Sequence, residues 1–278
     1  MNRFIVVFVV LIASGCASTA HVVAPTSAAE VGEYLRPGFL KGYLSTSELP
    51  DSAALLPVPP AADSAAQAAD NATFQALTKF QGSPRGALAI QDADLNFPKA
   101  AETFSCALGI SISEGGTPNI NMLLRRTLTD AILATSKAKS KYQRARPFMA
   151  YKVPSCTPAS EAELAKDGSY PSGHSTTGWA WALLLAEIAP ERADIILQRG
   201  RAFGQSRGIC GVHWQSDIEA GRVVGAALVA RLHANAVFVE QVRAARAEVT
   251  KARGANVTPS DNCAAETAAL ATSSMVPP

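Results

Sequence analysis

Apolar residues recur at intervals of three and four along most of this chain, the spacing of one helical face. The clearest run is Ile120, Leu123, Leu124, Leu128, Ala131 and Ile132, behind the start signal Thr117-Pro118. This helix is expected to run on through Lys139 and end near Arg146-Pro147, because a residue before proline is pushed out of the α region. Upstream, Gly82-Ser83-Pro84-Arg85 marks a turn with Pro84 as a first helical residue. Downstream, Gly168-Ser169-Tyr170-Pro171-Ser172-Gly173-His174-Ser175 reads as a turn and a helix start, with Ser172 as N-cap. Trp179, Trp181, Leu183, Leu184, Leu185 and Ile188 supply the helix behind it. Pro190-Glu191 opens another through Ile195, Ile196 and Leu197, with Gly200 and Gly204 near its end. A last long helix is expected from about His213 through Val223, Val224, Ala227 and Leu232 to roughly Arg253. No segment alternates as a strand does, and no repeat is visible. The pattern predicts an all-α fold, one compact helical domain over residues 71–255.

The flanks differ in character. Residues 21–70 are rich in Ala, Pro and Ser, centred on Leu55-Leu56-Pro57-Val58-Pro59-Pro60, and read as an extended arm lying over the domain. Residues 256–278 read as a C-terminal tail. At the other end, Arg3 precedes the apolar run Phe4 to Ala13, too short to span a bilayer but suited to a signal peptide over residues 1–20. Two cleavage modes compete. Ala13-Ser14-Gly15-Cys16 resembles a lipoprotein box, which would leave a lipid anchor on Cys16; cleavage after Ala20 would release a soluble protein. Either places the chain in the periplasm, outside the cell or on the outer membrane of a bacterium. No later segment reaches membrane-spanning length without a charge; Gly178 to Ala189 is interrupted by Glu187 and stopped by Pro190. Cys106, Cys156, Cys210 and Cys263 predict two disulfides with three pairings open. No close Cys or His spacing favours a metal site.

Charge narrows the function. Charged residues are 17% of the chain and the net charge is +2, which argues against a nucleic-acid-coating protein. Three clusters remain. Lys139 and Arg146 are seven apart, two helical turns, so both cations are expected on one side about 10 Å apart along the axis. Ser172, Gly173 and His174 sit at a helix start, where exposed N–H groups attract anions. Arg207, after Ser206, precedes His213 and Asp217, which are four apart and expected to neighbour each other on one helical face. Singly, each cluster reads as a solvated or structural pair. Together they are the parts needed to bind and cleave a phosphate ester.

Lys139-x6-Arg146-Pro147, Pro171-Ser172-Gly173-His174 and Ser206-Arg207-x5-His213-x3-Asp217 resemble the three-part motif of the type 2 phosphatidic acid phosphatase superfamily. The wording Gly168 to His174, the run Cys210 to Asp217, the proline-rich arm and Gly82 to Arg85 are similar to the bacterial class A non-specific acid phosphatases over about residues 34–250. One departure is Gly86, where relatives often carry tryptophan. The resemblance implies a phosphomonoesterase acting on small molecules with no metal or other cofactor. His213 would be the nucleophile, Asp217 its orienting carboxylate, and His174 the general acid and base. Lys139, Arg146 and Arg207 would bind the phosphate oxygens, with Ser172 and the Gly173 N–H completing the cradle. His213 would have to be neutral and His174 protonated, which implies an acidic to near-neutral optimum. Phosphate transfer to alcohols and homo-oligomer formation also belong to this expectation. Two other activities share the motif, vanadate-dependent halide oxidation and lipid phosphate hydrolysis.

Overall fold

Prolines and small polar caps set the helix starts, and the computed structural model follows them over the residues it describes, 22–255, 258–259 and 262–272. The expected signal peptide, its cleavage sites and Cys16 lie outside those residues. The arm opens with a helical turn at Ala28–Val31 and a small antiparallel hairpin, β1 (Glu33–Tyr34) and β2 (Arg36–Leu40). The main helices follow: α1 (Ala65–Leu77), α2 (Pro84–Gln91), α3 (Pro118–Ala134), α4 (Ser136–Tyr142), α5 (Pro147–Tyr151), α6 (Gly173–Ile188), α7 (Ala193–Ile209), α8 (Gln215–Leu232), α9 (Ala236–Gly254) and α10 (Cys263–Ala271). Short helical turns fill the connections. Among the described residues no single helix is long and apolar enough to cross a membrane.

Helix α6 is the axis of the fold. It packs on α7, α8 and α3, and is buried from Ser175 through Gly178 and from Ala180 to Ala182. A helix enclosed on several sides must be apolar or small nearly all round, and this one is. Trp181 is fully buried and donates its indole N–H to the Leu124 carbonyl at 3.0 Å, satisfying its one polar atom. Around it the core joins Phe104 and Leu108, Phe203 of α7, Leu228 of α8 and Phe238 of α9.

The arm is part of this core. Phe39, Tyr43 and Leu44 are buried against α3. Asp130 on α3 accepts from the backbone N–H groups of Tyr43 (2.8 Å) and Leu44 (3.3 Å), which satisfies backbone that would otherwise be buried without partners. Burial pushes the Asp130 carboxyl up to about 6, against those two hydrogen bonds and Arg126.

Several sequence expectations need correction. The helix expected from Pro118 to Arg146 breaks at Thr135 and ends at Gln143, whose φ of 43° turns the chain left-handed. Arg146 therefore lies in extended backbone ahead of α5, not two turns along a helix from Lys139. The last helix is two, α8 and α9, meeting at 99° where His233, Ala234 and Asn235 intervene and Asn235 caps α9. His213 precedes α8 instead of lying on it, so only Asp217 is on a helical face. Gly200 and Gly204 sit inside α7, because their missing side chains let α7 approach α6. The hairpin is the strand pairing that the sequence pattern did not announce; its exposed positions carry no alternating apolar face.

The candidate active site

The stretch Gly168 to Ser175 folds as a tight loop into α6. Ser172 caps the helix, accepting from the Ser175 N–H at 3.3 Å and from the Ser175 hydroxyl at 3.0 Å. With both lone pairs engaged, the Ser172 hydroxyl keeps its hydrogen for an acceptor in front of the helix. The Ser172 N–H donates to the Asp217 carbonyl at 2.9 Å, tying the loop to α8. This approach needs Gly221: a Cβ there would lie 2.6 Å from the Ser172 carbonyl oxygen.

His213 is nearly fully buried between two unlike neighbourhoods. On one side its Nε2 faces Arg146 Nη1 at 3.0 Å. A guanidinium can only donate, so Nε2 carries a lone pair. On the other side Nδ1 lies 3.2 Å from Ser169 Oγ and 3.5 Å from Asp217 Oδ2. Asp217 is buried and well supplied with donors: Arg144 Nη1 at 2.6 Å, Ser169 Oγ at 2.5 Å and the Trp214 N–H at 2.9 Å. Burial raises its pKa, against Arg144 and these hydrogen bonds.

The cations converge on the same face. Lys139 Nζ and Arg146 Nη2 both reach the carboxylate of Asp167, at 2.8 and 3.7 Å, and Lys139 also donates to the Gly168 carbonyl. Arg146 is fixed further by the carbonyls of Leu164 and Val212. Arg207 is buried, and its Nε and Nη1 have no hydrogen-bond partner. Its carbonyl accepts from the N–H groups of Val212 and His213, so its backbone leads into the His213 turn. Crowded cations out of water disfavour their own charge. Burial, and then Arg146, lowers Lys139 to about 8 and Arg207 to about 9. A buried guanidinium with free donors is built for an anion.

His174 lies one residue into α6, stacked on Phe203, with Nε2 3.1 Å from the Ala93 carbonyl. Since a carbonyl only accepts, Nε2 carries the hydrogen and Nδ1 is left to exchange a proton. Desolvation, then Arg207, lowers its pKa well below that of an ordinary histidine. Desolvation, then Arg146, does the same to His213. Both shifts favour the neutral ring while no anion is bound.

The structure thus gathers Lys139, Arg146, Arg207, His213 and Asp217 with the start of α6 that bears Ser172, Gly173 and His174. It also brings in residues that sequence reasoning missed. Arg144 bridges Asp217 to Asp70 of α1 at 2.7 Å, and Ser169 bridges Asp217 to His213. Behind Arg207, Ser206 donates to Asp92, which pairs with Arg199, while Arg85 donates to Ser206. Arg144 lay in plain view between Lys139 and Arg146; the partners Asp92 and Arg199 are 107 residues apart and gave no local signal. Gly86 lies beneath the carbonyls of Phe80 and Gln81, which leave no room for a Cβ. The two disulfides pair Cys106 with Cys263 and Cys156 with Cys210. The second clamps the loop leading to Asp167 and Ser169 onto the turn that leads to His213. Among the described residues no group of three or more His, Cys, Asp or Glu could hold a metal ion.

The chain is similar to known proteins over most of its length. A profile of the PAP2 superfamily matches residues 121–239. A non-specific acid phosphatase of Providencia stuartii is 46% identical over 210 residues, covering 75% of this chain and 85% of that protein. An acid phosphatase of Zymomonas mobilis is 42% identical, covering 73% and 77%. A non-specific acid phosphatase of Salmonella typhimurium is 40% identical, covering 79% and 88%. With the motif residues gathered at one site and this similarity over most of its length, the chain belongs to the PAP2 superfamily, in its non-specific acid phosphatase branch.

Proposed function

We propose that the protein hydrolyses small phosphomonoesters in two steps through a phosphohistidine at His213. The observation that carries this is the forced tautomer: the Nε2 lone pair faces the cationic pocket while Nδ1 faces Ser169 and Asp217. In the first step Nε2 attacks phosphorus, the bond to the ester oxygen breaks, and the leaving alcohol takes a proton from Nδ1 of His174. In the second, water gives a proton to His174 and attacks phosphorus, the P–N bond breaks, and inorganic phosphate leaves. Lys139, Arg146 and Arg207 hold the equatorial oxygens, with Ser172 and the Gly173 N–H at the helix start. A bound phosphate dianion offsets Arg207 and Arg146, which depress His174, so substrate binding itself favours the proton His174 must donate. An alcohol in place of water in the second step would give phosphotransfer.

We infer export as well, from the apolar run Phe4 to Ala13 and from two disulfides, which persist in oxidising compartments. The test is an assay over a phosphomonoester panel with vanadate and with a chelator, run on the wild type and on His213→Ala. Chelator-resistant, vanadate-inhibited hydrolysis, an acid-labile phosphoenzyme, and loss of both in the variant are expected. Retained hydrolysis by His213→Ala would overturn the assignment.

A further inference from the structure

The Asp217 carboxylate lies 3.5 Å from His213 Nδ1, too long for a good hydrogen bond, and a different group fills the gap. Ser169 Oγ is 2.5 Å from Asp217 Oδ2 and 3.2 Å from Nδ1. An ionised carboxylate only accepts, so the Ser169 hydrogen points to Oδ2 and its oxygen lone pair faces Nδ1. Nδ1 must then carry a hydrogen. The donor Arg146 on the opposite side requires the same tautomer independently.

We propose that Ser169 is a positioning residue of the phosphohistidine reaction, relaying the Asp217 charge to the His213 ring through its hydroxyl. The inference rests on the reading of His213 as nucleophile. As the N–P bond forms, the ring gains positive charge, and its Nδ1–H, which the Ser169 backbone also accepts, leans on an oxygen polarised by the carboxylate behind it. The hydroxyl cannot drift. Ser169 is fully buried, its N–H donates to the Arg144 carbonyl at 2.8 Å, and the preceding Gly168 is packed so closely that a Cβ would lie 2.6 Å from the Lys139 carbonyl oxygen. Arg144 holds the other oxygen of Asp217, so the carboxylate is also fixed.

The experiment compares Ser169→Ala, Ser169→Thr and His213→Ala with the wild type by steady-state kinetics, competitive inhibition by inorganic phosphate and thermal melting. Ser169→Ala should lower kcat by about 10²-fold, the scale of a misplaced reacting group. Competitive inhibition by inorganic phosphate should be unchanged, because Lys139, Arg146 and Arg207 make no hydrogen bond to Ser169. The acid limb of kcat/KM should move to lower pH, since the imidazolium loses an acceptor while Arg146, Lys139, Arg207 and His174 still oppose it. Ser169→Thr, which keeps the hydroxyl, should recover much of kcat. An unchanged kcat and acid limb in Ser169→Ala, with His213→Ala inactive, would overturn the relay alone. So would a parallel loss of kcat, phosphate inhibition and melting temperature, which would make Ser169 a loop-packing residue. Activity in His213→Ala would instead overturn the underlying reading.

Discussion

Arg144 and Arg146 are separated by one residue, yet their guanidinium groups serve opposite sides of the same histidine. Arg146 meets Nε2 of His213, and Arg144 turns back to hold Asp217 at 2.6 Å. The chain leaves Gln143 in a left-handed turn and enters Pro147 extended at Arg146, and this irregular stretch lets one short segment supply a cation to the pocket and another to its support. Arg144→Ala should leave the buried carboxylates of Asp217 and Asp70 without their shared counter-ion. The expected cost is about 3–5 kcal/mol, read as a lower denaturation midpoint, with kcat falling as well.

The two histidines should separate by leaving group. His174→Ala is expected to slow alkyl phosphates by about 10²–10⁴-fold, the usual contribution of a general acid. Aryl phosphates, whose leaving groups need less protonation, should suffer less. Equal losses on both would remove His174 from the proton-transfer role.

The pH profile follows from the signs of the shifts. Nucleophilic attack needs neutral His213, and burial beside Arg146 holds its pKa well below that of an ordinary histidine. The acid limb of kcat/KM should therefore lie below the usual histidine range. On the alkaline side His174 loses the proton it must donate, below the ordinary histidine range in the free enzyme. Lys139 loses its charge near pH 8, so a second decline from weakened substrate capture should follow as pH rises through that value. Lys139→Arg should move this second decline upward; a decline that stays in place would assign it to another group.

Reducing the disulfide between Cys156 and Cys210 should loosen the loop that carries Asp167 and Ser169. The Cys156→Ser, Cys210→Ser double variant is expected to lose about 2–4 kcal/mol in chemical denaturation. Its KM for phosphomonoesters should rise.

Gly221→Ala tests the helix contact behind the pocket. The added methyl would press on the Ser172 carbonyl, costing about 1–3 kcal/mol. Its signature is a fall in activity larger than the lost folded fraction explains.

Local signals carried the sequence reading a long way. Pro84 and Pro118 start helices where expected, Ser172 caps α6, and the apolar positions of α3 face the core. The failures fall where local preference gives way to tertiary contacts. Nothing near Gln143 predicts its left-handed turn, which the Gly168 loop packed against it accommodates. The bend at His233 to Asn235 sits within a pattern that is continuously helical by composition. Motif spacing named Lys139, Arg146, His174, Arg207, His213 and Asp217, but their support could not be read that way. Asp70, Asp92 and Arg199 meet their partners across long stretches of chain, and no periodicity records such pairs.

The Asp167 carboxylate gives ligand entry a particular character. It rests on Lys139 and Arg146 while remaining about half exposed, so two of the three cations already have an anionic companion tethered to the loop. Under the proposed function, a phosphate arriving at these side chains would trade places with that companion. Departure of the product is the same trade in reverse, with the carboxylate ready to step back in. Binding and release then become anion exchange between a tethered carboxylate and a mobile phosphate, and the strength of one sets the ease of the other.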